Sequence, residues 1–183
     1  MTLANGHRHL AIPGPTNMPD EVLNALHHAS VDIYGGSSEE ASRACLKFLK
    51  KIFRTRSKVY IYAANGHGAW EAALSNTLSK GDRVLVLESG LFPVVWGEMA
   101  SQLGIETEVL RERTGRAVDL EAVRARLAKD TAQEFKAVLM VQADTATGVV
   151  NNVKGVRAAL DETGHPALLM VDTIASLGSM EFN

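Results

Sequence analysis

Residues 167–172 read ALLMVD, and this short stretch decides the fold class. Five apolar residues in succession, directly after Pro166, predict a β-strand buried on both faces, as in a parallel sheet covered by helices. The run ends at Asp172, whose charge is costly to bury unless a partner stabilises it. Ligands of open α/β sheets bind at the carboxyl ends of the strands. Because the sequence offers Asp172 no obvious cation, an external cationic ligand is a candidate partner.

The segments before this strand alternate between strand and helix patterns. This alternation predicts an α/β fold of three layers, in which a mainly parallel sheet carries helices on both faces. The segment 105–110 alternates apolar and polar residues, which is typical of an edge strand. The predicted strands are 58–63, 83–87, 105–110, 136–141 and 167–172. The predicted helices are 20–26, 38–53, 70–78, 96–103, 119–127 and 153–160.

The N-terminal segment is rich in proline. Pro13, Pro15 and Pro19 favour an extended arm over a helix. No repeat, low-complexity tract or linker divides the rest of the chain. We therefore predict an arm over residues 1–20 and one domain over residues 21–183.

The composition excludes several classes of protein. A length of 183 residues, 46% of them hydrophobic, with a net charge of −2, is typical of a soluble globular domain. Such a charge gives no electrostatic footprint for nucleic acid or an anionic membrane. Cys45 is the single cysteine, so no internal disulfide can form and a cytoplasmic location is predicted. No apolar run is long enough to span a bilayer, and we predict no metal site.

Residues 64–71, ANGHGAWE, lie between a predicted strand and a predicted helix. Gly66 and Gly68 allow a tight turn and a close approach of a ligand, and the unpaired N–H groups of the helix suit a phosphate. A tight turn without any ligand explains the pattern equally well. The third glycine of the dinucleotide fingerprint is absent, which disfavours a nucleotide-binding oxidoreductase. His67 has two possible roles here, through its backbone N–H or through its ring in proton transfer.

Two further strand ends carry polar or aromatic residues. Residues 142–149, QADTATGV, place a carboxylate and two hydroxyls after a strand, where they either bind a polar ring substituent or cap the turn. Phe92 and Trp96 follow another strand. Each of these aromatic residues has two possible roles, which are stacking on a flat cofactor and packing in the core. With Asp172, these features fit pyridoxal phosphate: phosphate at a helix N-terminus, a stacked ring and an acid on the pyridine nitrogen. A purely structural Asp172, accepting backbone N–H bonds, is the alternative.

Four motifs in this order resemble class V aminotransferases, with the alanine–glyoxylate and serine–glyoxylate group as the nearest match. They lie at residues 13–19, 65–67, 144–149 and 171–178, and the resemblance covers the chain from about residue 10 to its end. It implies the fold of a fold-type I large domain, pyridoxal 5′-phosphate as cofactor, and a homodimer with its sites at the subunit interface. It also implies the transfer of an amino group from an alanine- or serine-like donor to glyoxylate or a similar 2-oxo acid.

The resemblance assigns roles to individual residues. Asp172 would be the catalytic acid paired with the pyridine nitrogen. The backbone of Gly14, Pro15 and Thr16 would border the substrate. The other implied cofactor contacts are Asn65, Gly66 and His67 at the phosphate, Phe92 and Ile174 on the two faces of the ring, and Thr145 at the ring oxygen.

The sequence also departs from the family pattern. Residues 31–36 lack a frequent His-Arg pair, which bears on substrate preference. Gln142 and Asp144 also replace a usual histidine and glutamate. The resemblance places the Schiff-base lysine past Asn183, so it implies a large domain incomplete at its C-terminus. Two hypotheses follow: a transaminase, or a truncated non-catalytic domain that binds the cofactor or assembles.

Overall fold

The computed structural model describes residues 9, 10, 12, 14–113 and 115–180. The chain forms two compact units, Met1–Val59 and Tyr60–Asn183. The first contains helices α1 (Asp20–Leu26) and α2 (Ser37–Ile52), close to their predicted bounds. Most of the predicted arm's first residues, 1–8, 11 and 13, lie outside the described part, so the boundary at residue 20 stays a prediction.

The second unit is built on a four-stranded parallel sheet with the order β2-β1-β3-β4. Parallel pairing needs a crossover between successive strands, and the helices supply it. The predicted α/β fold is therefore confirmed. The strands are β1 (Arg83–Glu88), β2 (Glu106–Arg111), β3 (Phe135–Val141) and β4 (Leu168–Asp172). The helices are α3 (Gly66–Thr77), α4 (Leu91–Gln102), α5 (Leu120–Lys129) and α6 (Val153–Glu162).

Each face of the sheet has its own hydrophobic core because successive side chains of a strand point to opposite faces. Leu85 and Leu87 of β1 pack with residues of α5 and α6. Val84 and Val86 of the same strand pack with residues of α3 and α4. All four side chains are fully buried, which gives the predicted three layers of helix, sheet and helix.

Two predicted strands differ from the structure. Residues 58–63 form no strand, and Tyr60 is 68% exposed, because no strand of the described sheet lies beside this segment. β4 is only partly buried and not fully buried as predicted, although Leu169 and Val171 pack against one core and Met170 against the other. Among the described residues β4 has β3 as its one neighbour, and Leu168 is 50% exposed at the outer edge of the sheet.

A buried polar pair joins the opposite end of the sheet, where β3 and β4 begin. The N–H of Ala167 donates to His165 Nδ1, which assigns the ring hydrogen to Nε2, and Nε2 donates to Asp130 Oδ2 over 3.1 Å. Burial alone would raise the pKa of Asp130, but hydrogen bonds from the Phe135 N–H, from His165 and from the Glu134 N–H outweigh it. The pKa of Asp130 therefore lies below its ordinary value.

A depressed pKa makes Asp130 a source of pH-dependent stability. The charged form is stabilised in the folded protein, so the contribution is present above about pH 4 and is lost as the pH falls through the folded pKa. Asp130→Asn is expected to cost about 2 kcal/mol of unfolding free energy at pH 7. The difference from the wild type should shrink below about pH 4, as measured by urea unfolding across pH.

Asp161→Asn is the matched control, because Asp161 is exposed and pairs with Arg157 on one helix face. Its effect should stay within about 0.5 kcal/mol at every pH. An Asp130→Asn protein as stable as the wild type at pH 7 would contradict the assignment.

Candidate functional site

The candidate site lies where the parallel strands end, beside the N-terminus of α3. Strands β1, β3 and β4 all run in the same direction, so their carboxyl ends meet at one edge of the sheet. Phe92 lies in the first turn of α4, which follows β1, whereas Thr145 and Ile174 lie in the turns after β3 and β4. Asp172 is the last residue of β4.

Asp172 is a buried carboxylate held by two donors. Its side chain accepts the indole N–H of Trp70 at Oδ2 over 2.8 Å and the backbone N–H of Ile174 at Oδ1 over 2.7 Å. The residue is 8% exposed, and no described cationic side chain forms an ion pair with it. Each carboxylate oxygen has two lone pairs, so two donors leave acceptor capacity for a ligand. The site therefore offers a negative group to a cation.

Trp70 links this carboxylate to the aromatic residues of the site. Its ring stacks on Trp96, with centroids 5.3 Å apart and planes at 11°. The same ring makes edge contacts with His67 at 4.7 Å and with Phe92 at 6.3 Å. The structure thus brings Asp172, His67 and Phe92 together around one indole. The sequence assigned Trp70 only to a helix stripe, because its acceptor Asp172 lies 102 positions away.

The first turn of α3 presents free backbone donors. Asn65 is the N-cap, and its side chain accepts the N–H of Gly68 over 3.2 Å. The N–H groups of Gly66 and His67 have no acceptor among the described residues, as expected at a helix N-terminus. A Cβ on Gly66 would lie 3.9 Å from the Ile174 side chain, so this turn adjoins the residue that follows Asp172. Free donors and the helix dipole favour an anion here.

Gly68 is required by packing. A Cβ at this position would lie 2.4 Å from the Cβ of Ala64, which is closer than two nonbonded carbon atoms can approach. The glycine at residue 68 therefore has a structural reason, and ligand binding by the turn at residues 64–68 stays a prediction.

Asp144 joins the turns after β1 and β3. Its Oδ2 accepts the N–H of Phe92 over 2.9 Å, and its Oδ1 accepts the N–H groups of Ala146 and Thr147 over 3.0 Å each. The side chain is 1% exposed, which makes it a structural acceptor. Thr145 beside it is half-buried, and its hydroxyl forms no hydrogen bond with the described residues. Of the two roles left open for this segment, the structure shows turn capping by Asp144, and a ligand contact of Thr145 stays a prediction.

A second buried network lies behind these turns, and sequence reasoning missed it. Asn151 donates to the Ser89 hydroxyl over 2.6 Å and to the Val141 carbonyl over 2.8 Å. Ser176 donates to the Gln142 side chain over 2.7 Å. These contacts tie the ends of β1, β3 and β4 to one another. Nothing local in the sequence marks Asn151, because its partners lie far along the chain.

The remaining predicted site residues, Ile174 and residues 14–16, are exposed. Ile174 is 71% exposed, so its apolar side chain is available to cover a flat ligand. Gly14, Pro15 and Thr16 belong to the other compact unit, where all three are exposed. Their role at a substrate stays a prediction. No group of three or more metal-ligating side chains occurs in the described ranges, and none of their helices is long and apolar enough to cross a membrane.

The chemistry of the site matches a planar ligand that carries a positive group at one end and a negative group at the other. The Asp172 carboxylate suits a protonated ring nitrogen, and the free N–H groups of α3 suit a phosphate. Phe92 and Ile174 provide apolar surface for a ring, and the Thr145 hydroxyl suits a ring oxygen. These are the features expected of a pyridoxal phosphate site, and the residues present fit that group.

Comparisons with known proteins show the family to which the chain belongs. The family model described as Aminotransferase class-V matches residues 8–183. The serine–glyoxylate aminotransferase of Methylorubrum extorquens is 41% identical over 178 residues, which cover 97% of this chain and 44% of that protein. The L-aspartate–glyoxylate aminotransferase of Paracoccus denitrificans is 36% identical, with coverage of 93% and 43%.

A solved structure shows the same architecture. The alanine–glyoxylate aminotransferase from Nostoc sp. superposes with a TM-score of 0.86 at 26% identity, covering 100% of this chain and 48% of that one. The chain thus spans less than half the length of these relatives.

Proposed function

Since this chain belongs to the class V aminotransferases, we propose that it binds pyridoxal 5′-phosphate at the carboxyl edge of its sheet and serves amino-group transfer. The observation that carries the proposal is Asp172, a buried carboxylate with two neutral donors and no cation among the described residues. A carboxylate in this state costs free energy unless a charged or hydrogen-bonding partner is present. A protonated pyridine nitrogen is such a partner.

Each residue around Asp172 has a defined task in this proposal. The N–H groups of Gly66 and His67 hold the phosphate, with Asn65 fixing the turn. Phe92 and Ile174 cover the ring, and the Thr145 hydroxyl donates to the ring oxygen. When bound, the cofactor supplies an electron sink for the charge that develops at the substrate α-carbon. Asp172 keeps a proton on the ring nitrogen, which maintains that sink.

The relatives' names support glyoxylate as the amino acceptor. The serine-, L-aspartate- and alanine-dependent enzymes described above differ in donor, but all three share glyoxylate. We therefore propose glyoxylate, or a similar small 2-oxo acid, as acceptor and an alanine- or serine-like amino acid as donor. We also propose a cytoplasmic location, because a sequence with a single cysteine forms no internal disulfide and suits a reducing compartment. A homodimer is proposed on the family resemblance alone.

A second function is kept as the alternative: a cofactor-binding or assembly domain without catalysis of its own. The four motifs that resemble the family contain no lysine, and the resemblance places the Schiff-base lysine past Asn183. Borohydride treatment with pyridoxal phosphate separates the two functions. A covalent adduct on one lysine, together with transaminase activity, would support catalysis. Reversible binding without any adduct would support the alternative.

Binding of pyridoxamine 5′-phosphate tests the proposal itself. This amine form carries the same ring and phosphate but does not condense with surface lysines, so it reports the site alone. We expect saturable binding at one site, with quenching of tryptophan fluorescence because Trp70 contacts Asp172, His67 and Phe92. Pyridoxamine without the phosphate should bind at least about tenfold more weakly. The absence of saturable binding would overturn the proposed function.

A further inference from the structure

The chain contains two tryptophans, and they lie stacked with very different polar surroundings. Both rings are buried. The Trp70 Nε1 donates to Asp172 Oδ2, whereas the buried Trp96 Nε1 has no hydrogen-bond partner among the described residues. The stacked ring of Trp96 fixes the plane of Trp70, so the Trp70 N–H cannot turn away from the carboxylate. Among the described residues, the indole N–H of Trp70 therefore has a hydrogen-bond acceptor and that of Trp96 has none.

The carboxylate itself depends on this donor for its orientation. Asp172 Oδ1 accepts the N–H of Ile174, which lies two residues further along the chain. This one contact leaves the carboxylate plane free to rotate. The terminal torsion of an aspartate is broad and weakly restrained by itself. The second contact, from Trp70 to Oδ2, fixes that torsion. Both oxygens then keep lone pairs in defined directions.

We propose that Trp70 is a positioning residue for the cofactor ring: its indole N–H orients the Asp172 carboxylate toward the ring nitrogen. This inference rests on the proposed function, because it concerns the partner of Asp172 in that site. Trp70 does not touch the reacting atoms. It acts through the carboxylate, and its effect therefore depends on whether the ligand ring contains a nitrogen.

Trp70→Phe removes the N–H and keeps an aromatic ring in the core. We expect the affinity for pyridoxamine 5′-phosphate to fall about tenfold or more, the usual effect of losing a hydrogen bond to a charged group. The affinity for the carbocyclic analogue, in which a C–H replaces the ring nitrogen, should change less than about twofold. A merely structural role would lower both affinities by the same factor.

Trp96→Phe is the matched control, because it removes an N–H without a partner from the stacked ring. It should leave the ratio of the two affinities at the wild-type value. Equilibrium dialysis gives both affinities for each protein, and circular dichroism verifies that each variant is folded. Equal losses for the two compounds in Trp70→Phe, or no loss for either, would overturn the inference while the proposed function stands.

A second measurement needs no variant and covers the case in which Trp70→Phe does not fold. The indole N–H proton of Trp70 in the wild type should shift in its NMR spectrum when pyridoxamine 5′-phosphate binds, and shift less with the carbocyclic analogue. An identical shift with both compounds, or none, would overturn the inference. If the wild-type protein bound neither compound, the proposed function would fail first and this inference with it.

Discussion

Asp172→Asn is expected to weaken the binding of pyridoxamine 5′-phosphate by about a hundredfold, because it removes the negative partner of the ring nitrogen. The substitution keeps the size of the side chain but loses its charge. It also places an amide NH2 against one of two existing donors, the Trp70 N–H and the Ile174 N–H. Equilibrium dialysis of the folded variant measures the loss.

Asp119→Asn is a suitable control for this experiment. Asp119 caps α5, asparagine is an equally good N-cap, and the same charge is removed away from the site. Its affinity should match that of the wild type. An Asp172→Asn protein that bound with wild-type affinity would contradict the assignment of Asp172 to the ring nitrogen.

Gly90→Ala is expected to destabilise the protein by about 3 kcal/mol and to lower cofactor affinity with it. A Cβ on Gly90 would lie 2.3 Å from the carboxyl carbon of Asp144. Since Asp144 is buried and accepts the N–H groups of Phe92, Ala146 and Thr147, its displacement leaves several buried donors unpaired. Phe92 and Thr145 would then leave their positions at the site.

The effect of Gly90→Ala is steric, because the φ of Gly90 is 173°, an extended conformation that any residue adopts. Gly35→Ala is the control: a Cβ on Gly35 meets no atom within 4 Å and its φ is not in the left-handed region. Urea unfolding should show a change within about 0.5 kcal/mol for Gly35→Ala. Similar unfolding free energies for Gly90→Ala and the wild type would contradict the role of Asp144.

The sheet was largely predictable from the sequence because its inner strands are continuous apolar runs. The four central side chains of β1 are buried, as are all those of β3 except Lys136, and buried parallel strands have no polar alternation to obscure them. Residues 58–63 show a similar local pattern, yet they form no strand, since strand formation needs a neighbouring strand that the pattern cannot reveal. The same limit applies to β4, whose exposure depends on what lies beside it.

The candidate site was predictable in its residue types and not in its contacts. Asp172 and the turn at residues 64–68 stand out because a carboxylate and paired glycines at strand ends are unusual. Trp70 is 102 positions from Asp172, and Asn151 is 62 positions from Ser89, so no spacing rule connects them. Asp172 and Ser89 lie at strand ends on one edge of the parallel sheet, whereas Trp70 reaches that edge from helix α3.

A crystal structure of the protein with pyridoxamine 5′-phosphate would show directly whether Asp172 faces the ring nitrogen. We expect the ring nitrogen within about 2.9 Å of an Asp172 carboxylate oxygen and the phosphate on the N–H groups of Gly66 and His67. The ring should lie between Phe92 and Ile174. A ligand whose phosphate lies away from the N-terminus of α3, or whose ring nitrogen faces a group other than Asp172, would contradict the assignment of the cofactor site to this edge of the sheet.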